Sequence, residues 1–506
     1  MSPKSSHPVP ACQLNTSKQK TNAITSSFHT LEDLPWYGSG YLLTVTAMQP
    51  SFGKLYRLLS IKGVYVSCIV VFEVGSILCA AAPTSAVFIA GRAIAGVGAA
   101  GLLQGALVII THTVPLEKRP LYMSIVISVF GTFTGKISWR CNVPIGSVVL
   151  FLILVFLKIR SDTVARDSRP KADWRKRIMK LDPIGATLII PGICCLLLAL
   201  QWGGQALPWK SSRVIGLCVG SGLLFAAFMI VQWKLGEDAI LLFFILKQRS
   251  IFSGAFFLFF TAMPMTALRS SPLASGVDFL AFALPQIGPT VVSGGLATAF
   301  GYYVPYMIVG TAISIVGSGL IMTLQVATCT AKWAGFLVVC GLGTGMAINQ
   351  PYTAVQAVVL EHDTPIANAV LQFAFQLGAA LSLSISQTLF INKLRLEVQM
   401  KTPAIPPDMV ISAGASNLPL LVQSPDTLLR LREAYTNSVR HVFIFALAAA
   451  CCGFTFSFGF EHRNVKKVAA ERKAAEESID TDGDMHQHLS IHTEKIRNAE
   501  KVSENR

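Results

Sequence analysis

The feature that most constrains this chain is a succession of long, unbroken apolar runs. Between residues 35 and 460, stretches of roughly 20 apolar residues follow one another with short polar connectors between them. A helix needs about 20 residues to cross a hydrocarbon core of about 30 Å. Strands of a membrane barrel would instead alternate apolar and polar residues, and these runs do not. A bilayer offers no water to satisfy backbone groups, so each run must satisfy them within its own helix. Composition agrees. Only 14% of the 506 residues are charged, against about 25% in soluble domains, too few to clothe a water-facing surface. Soluble enzyme, collagen-like, disordered and disulfide-scaffold classes are excluded. The expected fold is an all-α polytopic membrane protein.

Thirteen spans are expected: 35–52, 63–82, 86–113, 121–135, 143–157, 182–202, 213–233, 250–268, 276–298, 304–324, 333–360, 366–391 and 441–460. Two of them, 121–135 and 143–157, reach only about 22 Å at 1.5 Å per residue. The segment Lys158–Lys180 holds nine Lys/Arg against three Asp. With the connectors at 53–62, 114–120 and 234–249 it carries seventeen Lys/Arg, while the alternate short connectors carry five. The positive-inside rule makes the first set cytoplasmic. Eight spans then lead to a cytoplasmic tail, 461–506, whose polar composition reads as disordered. Five spans precede the central basic loop, which puts residues 1–34 outside and suggests a missing first helix. On that placement Asn15 becomes a candidate glycosylation site.

The net charge of +15 sits between the apolar runs, as a topology signal does, and is not a nucleic-acid footprint. The eleven cysteines show no metal spacing and read as small apolar fillers. Gly96, Gly98 and Gly101 match a dinucleotide-binding fingerprint, but within an apolar helix and without a preceding strand. Small residues four apart, Gly96 with Ala100 and Gly101 with Gly105, instead let helices approach in lipid. Glu73 and Arg92 are charges inside spans, where each needs a partner or water. They read either as a polar relay on a transport path or as an ion pair locking two helices. Gln350, Gln372 and Gln376 lie in late spans, together with Asn349 and Gln356. They read as the wall of a solute cavity or as interhelical hydrogen-bond glue. Gly341, Gly343, Gly345 and Pro351, with Pro285 and Pro289, mark helices that bend or break. No nucleophile–base set, histidine box, phosphate-binding loop or metal spacing occurs. That argues against an enzyme, against an ATP-driven pump and for no cofactor. His486, His488 and His492 read as part of a solvated tail.

Several stretches resemble one family. Gly91-Arg92-Ala93-Ile94-Ala95-Gly96 is similar to the Arg-containing fourth-helix motif of the major facilitator superfamily, and Val114-Pro115-Leu116-Glu117-Lys118-Arg119 follows it as in fungal 14-span drug:proton antiporters. Trp36-Tyr37-Gly38-Ser39-Gly40-Tyr41 resembles the start of their second helix, and Gly53-Lys54-Leu55-Tyr56 their first cytoplasmic loop motif without its acidic residue. Ser138-Trp139-Arg140, Gly276-Val277-Asp278, Phe300-Gly301-Tyr302-Tyr303 and Gln350-Pro351 extend the likeness over roughly residues 22–460. Three features depart from it. The first helix is absent, the fifth lacks its Gly-Pro core near Gly131-Thr132-Phe133, and the helix ending at Leu268 lacks its aromatic end.

The resemblance implies a major facilitator fold with about 13 of 14 spans visible. A bundle at 35–157 follows the polar segment 1–34. A basic cytoplasmic loop at 158–181, two linker helices at 182–233 and a connector at 234–249 lead to a second bundle at 250–460 with an outside loop at 392–440. It implies proton-coupled export of a small amphipathic compound, such as a fungal toxin or secondary metabolite. Its partners would be that small-molecule substrate, protons and the lipid bilayer, with no nucleic acid. It implies a plasma-membrane location, with the vacuolar membrane as the alternative. Nutrient or siderophore uptake, and a degraded protein that transports nothing, are the competing readings.

Overall fold

The computed structural model describes residues 34–133, 182–203, 207–235, 243–270, 278–325, 328–422 and 424–475. Asn15, the expected span 143–157, the basic loop 158–181 and the tail histidines lie outside the described residues. Apart from one isolated bridge between Gly203 and Leu207, the described elements are helices. They are α1 (Leu34–Leu58), α2 (Ile61–Ala80), α3 (Ser85–Thr113), α4 (Arg119–Phe133), α5 (Pro183–Trp202), α6 (Ser212–Leu235) and α7 (Phe243–Leu246). Then follow α8 (Arg249–Ser270), α9 (Asp278–Phe300), α10 (Val304–Ile321), α11 (Thr330–Ile348), α12 (Gln350–Val358), α13 (Thr364–Lys401), α14 (Pro407–Leu421) and α15 (Pro425–Ser457). Every expected span other than 143–157 has a helix. Nine of these spans, counting α11 and α12 as one, are long and apolar enough to cross a bilayer.

The helices form two blocks. In the first, α2 and α1 both pack on α3. In the second, α10 and α9 pack on α11, and α13 and α15 pack on α8. The blocks meet where α1 and α3 cross α13 and where α4 crosses α9. The linker helices α5 and α6 pair with each other, and α5 also rests on α1 and α13. Asp182 locks that pair. At φ 51° it caps α5, its Oδ1 accepting from Gly185 N at 2.7 Å while Oδ2 accepts from Gln232 Nε2 of α6 at 2.6 Å. The outward face of α6 carries exposed Ile215, Val219, Leu223, Ile230 and Trp233. So broad an apolar band suits lipid and not water.

Close crossings join the helices within each block. A Cβ at Gly75 of α2 would lie 2.3 Å from Ala95 N of α3, and one at Gly98 of α3 would lie 2.5 Å from Phe72 N of α2. These contacts fix an antiparallel register in which Gly91 meets Cys79. In α11–α12, Pro351 supplies no N–H, and Asn349 ends one helix and starts the next. The single span expected at 333–360 is thus two helices.

The segment expected as an outside loop, 392–440, is largely helical. Helix α13 continues to Lys401, α14 occupies most of the turn, and α15 starts at Pro425. Leu394 and Val398 of α13, Val410 and Leu418 of α14, and Leu431 and Tyr435 of α15 form an apolar cluster there. Ion pairs Arg395–Asp408 at 2.9 Å and Lys401–Glu433 at 3.3 Å lie over it. Apolar residues four apart gave the helical face. The charges between them made the stretch too polar to read as a span.

The opposite end gathers the basic connectors. Arg57 and Arg119 meet the turn 359–363, Arg249 Nε donates to Gly459 O, and Val465 N donates to Gly301 O. This side is called the basic end below, and the side carrying α14 the far end.

Gly75→Val should lower the thermal midpoint and the monodisperse yield, because overpacking against fixed backbone costs about 1–3 kcal/mol or more. Gly216→Val, with nothing within 4 Å of its Cβ position, should change neither. Fluorescence-detected size exclusion after a heating series measures both.

Candidate functional site

The arrangement with most chemistry is the seam between the two blocks. Its hydrogen bonds and ion pairs among the described residues all lie toward the basic end. They begin with close backbone approach. A Cβ on Gly53 of α1 would lie 2.5 Å from Ala369 Cβ of α13, and one on Gly294 of α9 would lie 2.7 Å from Pro120 O of α4. Each missing side chain lets two helices from opposite blocks touch. Around the second crossing, Asn349 Nδ2 donates to Ser124 Oγ at 2.5 Å and to Pro120 O at 3.2 Å. Gln356 Nε2 lies 2.9 Å from Met123 Sδ. Around the first, Gln104 Nε2 of α3 donates to Pro365 O at 2.5 Å.

Two ion pairs close the seam. Arg119 Nη2 donates to Glu361 Oε1 at 2.5 Å, while its Nε donates to Val114 O at 2.8 Å. Arg57 Nη2 lies 3.1 Å from Asp363 Oδ1. The burial is unequal. Arg119 is 6% exposed against 49% for Glu361, and Arg57 25% against 5% for Asp363. Each pair thus sets a more deeply buried partner against one that water reaches. His362 Nε2 adds a contact of 3.2 Å to Asp363 Oδ2. Both acids lie on the turn that joins α12 to α13.

Just inside these pairs lies a set of buried amides. Gln49 of α1 and Asn368 of α13 are fully buried, and neither makes a hydrogen bond through its amide oxygen or nitrogen. The Oε1 atoms of Gln104 and Gln350 are buried and unpartnered too. A buried polar group left without a partner costs about 1–3 kcal/mol. Gln372 is differently placed, its Oε1 accepting from Tyr352 Oη at 2.6 Å within the second block. Gln376 is half-buried one turn beyond. The seam thus gathers Gln49, Gln104 and Asn368, which the sequence reading passed over, while Gln350 and Gln372 are buried within the second block and bond to groups of that block. A signal for Asn368 was present, since positions 368, 372 and 376 share one helical face.

Glu73 and Arg92 do not form the pair considered from the sequence. The α2–α3 register puts Arg92 at the level of Leu78 and Glu73 at the level of Val97. Five residues separate those levels, about 7 Å along the axis. Arg92 lies over the ring of Tyr41 in α1, 4.4 Å from its centroid. That is a cation–π contact. Glu73 is half-buried, with Oε2 unpartnered. Like Ser51 Oγ of α1, this Glu73 oxygen is a first-block polar atom buried without a partner among the described residues.

Among the described residues no group of His, Cys, Asp and Glu has metal-binding geometry.

Comparison with known proteins gives a consistent result. The family model described as Major Facilitator Superfamily matches residues 20–383. An aspyridones efflux protein of Neocamarosporium betae is 39% identical over 89% of this chain and 84% of its own length. An MFS-type efflux pump of Trichophyton rubrum is 37% identical, covering 89% and 88%. The efflux pump aflT of Aspergillus parasiticus is 36% identical, covering 88% and 91%.

Truncating either partner of the Arg119–Glu361 pair should be unequally costly. Glu361→Ala leaves a buried guanidinium without its anion, a situation that costs about 3–5 kcal/mol at full burial. Arg119→Met leaves a carboxylate that water reaches, in the regime of about 1 kcal/mol or less. The thermal midpoint should therefore fall further for Glu361→Ala, and equal falls would contradict this account of the seam.

Proposed function

Because the chain belongs to the major facilitator superfamily, we propose that it exports a small amphipathic compound of the secondary-metabolite class, driven by protons moving inward. The observation that carries this is the identity of 36–39% to efflux proteins over most of both chains. The basic end faces the cytoplasm, on the strength of its Lys/Arg-rich connectors. The plasma membrane is the site proposed.

On this reading the structure is the cytoplasm-closed arrangement. Opening it separates α1 from α13 and α4 from α9. Two ion pairs and the Asn349 and Gln104 hydrogen bonds are then lost, and the unpartnered amides of Gln49, Asn368, Gln104 and Gln350 gain water or solute. Loss and gain oppose each other, which keeps the two arrangements close in energy, as alternation requires. Gln350, Gln372 and Gln376 supply hydrogen bonds to carbonyl and hydroxyl groups of the transported compound. Glu73 takes up and releases the proton. Arg92, seated on Tyr41, holds a fixed positive charge beside the path.

Yeast cells expressing the chain should hold less of a fluorescent amphipathic test compound than controls, and a protonophore should abolish the difference. Higher cell content would favour uptake. Unchanged content with protein confirmed at the membrane would favour a protein that transports nothing. Glu73→Gln should lose proton-driven efflux while reaching the membrane in normal amounts. Gln350→Leu and Gln372→Leu should raise the half-saturating concentration of efflux with surface amounts unchanged.

A further inference from the structure

After α15 the chain turns at 458–464 and forms a short helix over residues 465–475. Its start is bolted to the second block. Val465 N donates to Gly301 O at 2.9 Å, Asn464 Nδ2 to Phe300 O at 3.1 Å and Lys466 Nζ to Ala299 O at 2.7 Å. These bonds occupy carbonyls left free where α9 ends, at a point where donors and positive charge are favoured. Glu461 N donates to Ser250 Oγ at 3.2 Å, and Tyr303 Oη donates to Glu461 O. Burial pushes the Tyr303 phenol up to about 12, so it remains a donor at any cellular pH. Val465 and Val468 are buried in the apolar cluster that also contains Val359 and Tyr352 of the second block and Leu116 and Met123 of the first.

The other end of this helix reaches the seam. Arg472 Nη2 donates to Val359 O at 2.9 Å. Val359 caps α12. It stands two residues before Glu361 and four before Asp363, the acids that bind Arg119 and Arg57. We propose that Arg472 is a positioning residue for transport: by holding the Val359 carbonyl it fixes the 359–363 turn in the shape that brings both acids to the first block. The tail helix thereby acts as a strut between the end of α9 and the seam, and the closed arrangement depends on it. The inference rests on alternation between two arrangements, whatever compound is carried.

Hydrogen–deuterium exchange on the purified full chain tests it without added labels. Arg472→Ala should speed exchange severalfold not only in 465–475 but also in peptides covering 114–122 and 57–60, which belong to the other block. Arg472→Lys, which keeps a donor, should restore much of the protection. Glu361→Gln should speed 114–122 by itself, since Glu361 binds Arg119. Adding Arg472→Ala to Glu361→Gln should then change 114–122 little, because there both act through the Arg119–Glu361 contact, while 57–60, tied through Asp363, should still respond to Arg472→Ala. Additive effects on 114–122, or faster exchange confined to 465–475, would overturn the proposal while leaving the seam intact. If Glu361→Gln leaves 114–122 unchanged, the seam account fails and the proposal falls with it. Should Arg472→Ala give too little protein, Arg472→Met removes the donor while keeping the aliphatic stem and should speed the same peptides.

Discussion

In hydrocarbon, apolar side chains gain nothing by leaving lipid for one another. Helices in such a solvent are held by close backbone contact and by the few polar groups they hide. Both devices are visible here, and they are distributed differently. Within each block, glycine crossings such as Gly75 on Ala95 and Gly343 on Ser314 bring helices nearly into backbone contact. These contacts are short in range and have no polar part. They make each block a stiff body. Between the blocks, crossings at Gly53 and Gly294 are supplemented by ion pairs and amide hydrogen bonds. The blocks can therefore stay intact while the junction between them changes.

Placing the charges at the basic end is a physical necessity. Arg57, Arg119, Glu361 and Asp363 stand at helix ends, where a side chain released from its partner meets water or headgroups. The same four charges at mid-bilayer would be prohibitively costly once separated. The amides lie one to two turns deeper. They carry no net charge, so the cost of leaving them unpaired is smaller.

Most of the helix inventory was legible in the apolar runs, because a span needs length and hydropathy and little else. Glycine spacing in α3 correctly indicated packing in place of nucleotide binding. Pairing between helices was not legible. Glu73 and Arg92 lie at comparable counts from their helix ends, yet the Gly75–Ala95 and Gly98–Phe72 contacts set a register that separates them. A register is decided by where backbones fit, and hydropathy does not encode that. The far-end segment escaped for a different reason. Its helices are amphipathic and half wetted, so Arg395, Glu397, Lys401 and Glu433 masked the apolar face made by Leu394, Val398 and Leu431. The amides of Gln49 and Asn368 were readable as polar residues in apolar helices. That they face each other's block followed only from the crossing at Gly53.

The overlong helices at the far end have a mechanical meaning. Helix α13 has 38 residues and α15 has 33, about 57 and 50 Å against a hydrocarbon thickness of about 30 Å. Bound together by α14, which breaks at Gly414, their ends form a tower continuous with the second block. A tower of this kind turns a small tilt inside the bilayer into a larger sideways sweep at its tip, as a mast magnifies the roll of a hull. The point of greatest travel then stands in water, clear of the headgroups. An antibody fragment that wedged the tower against anything fixed at the membrane surface would arrest the rolling without touching the seam or the compound it passes.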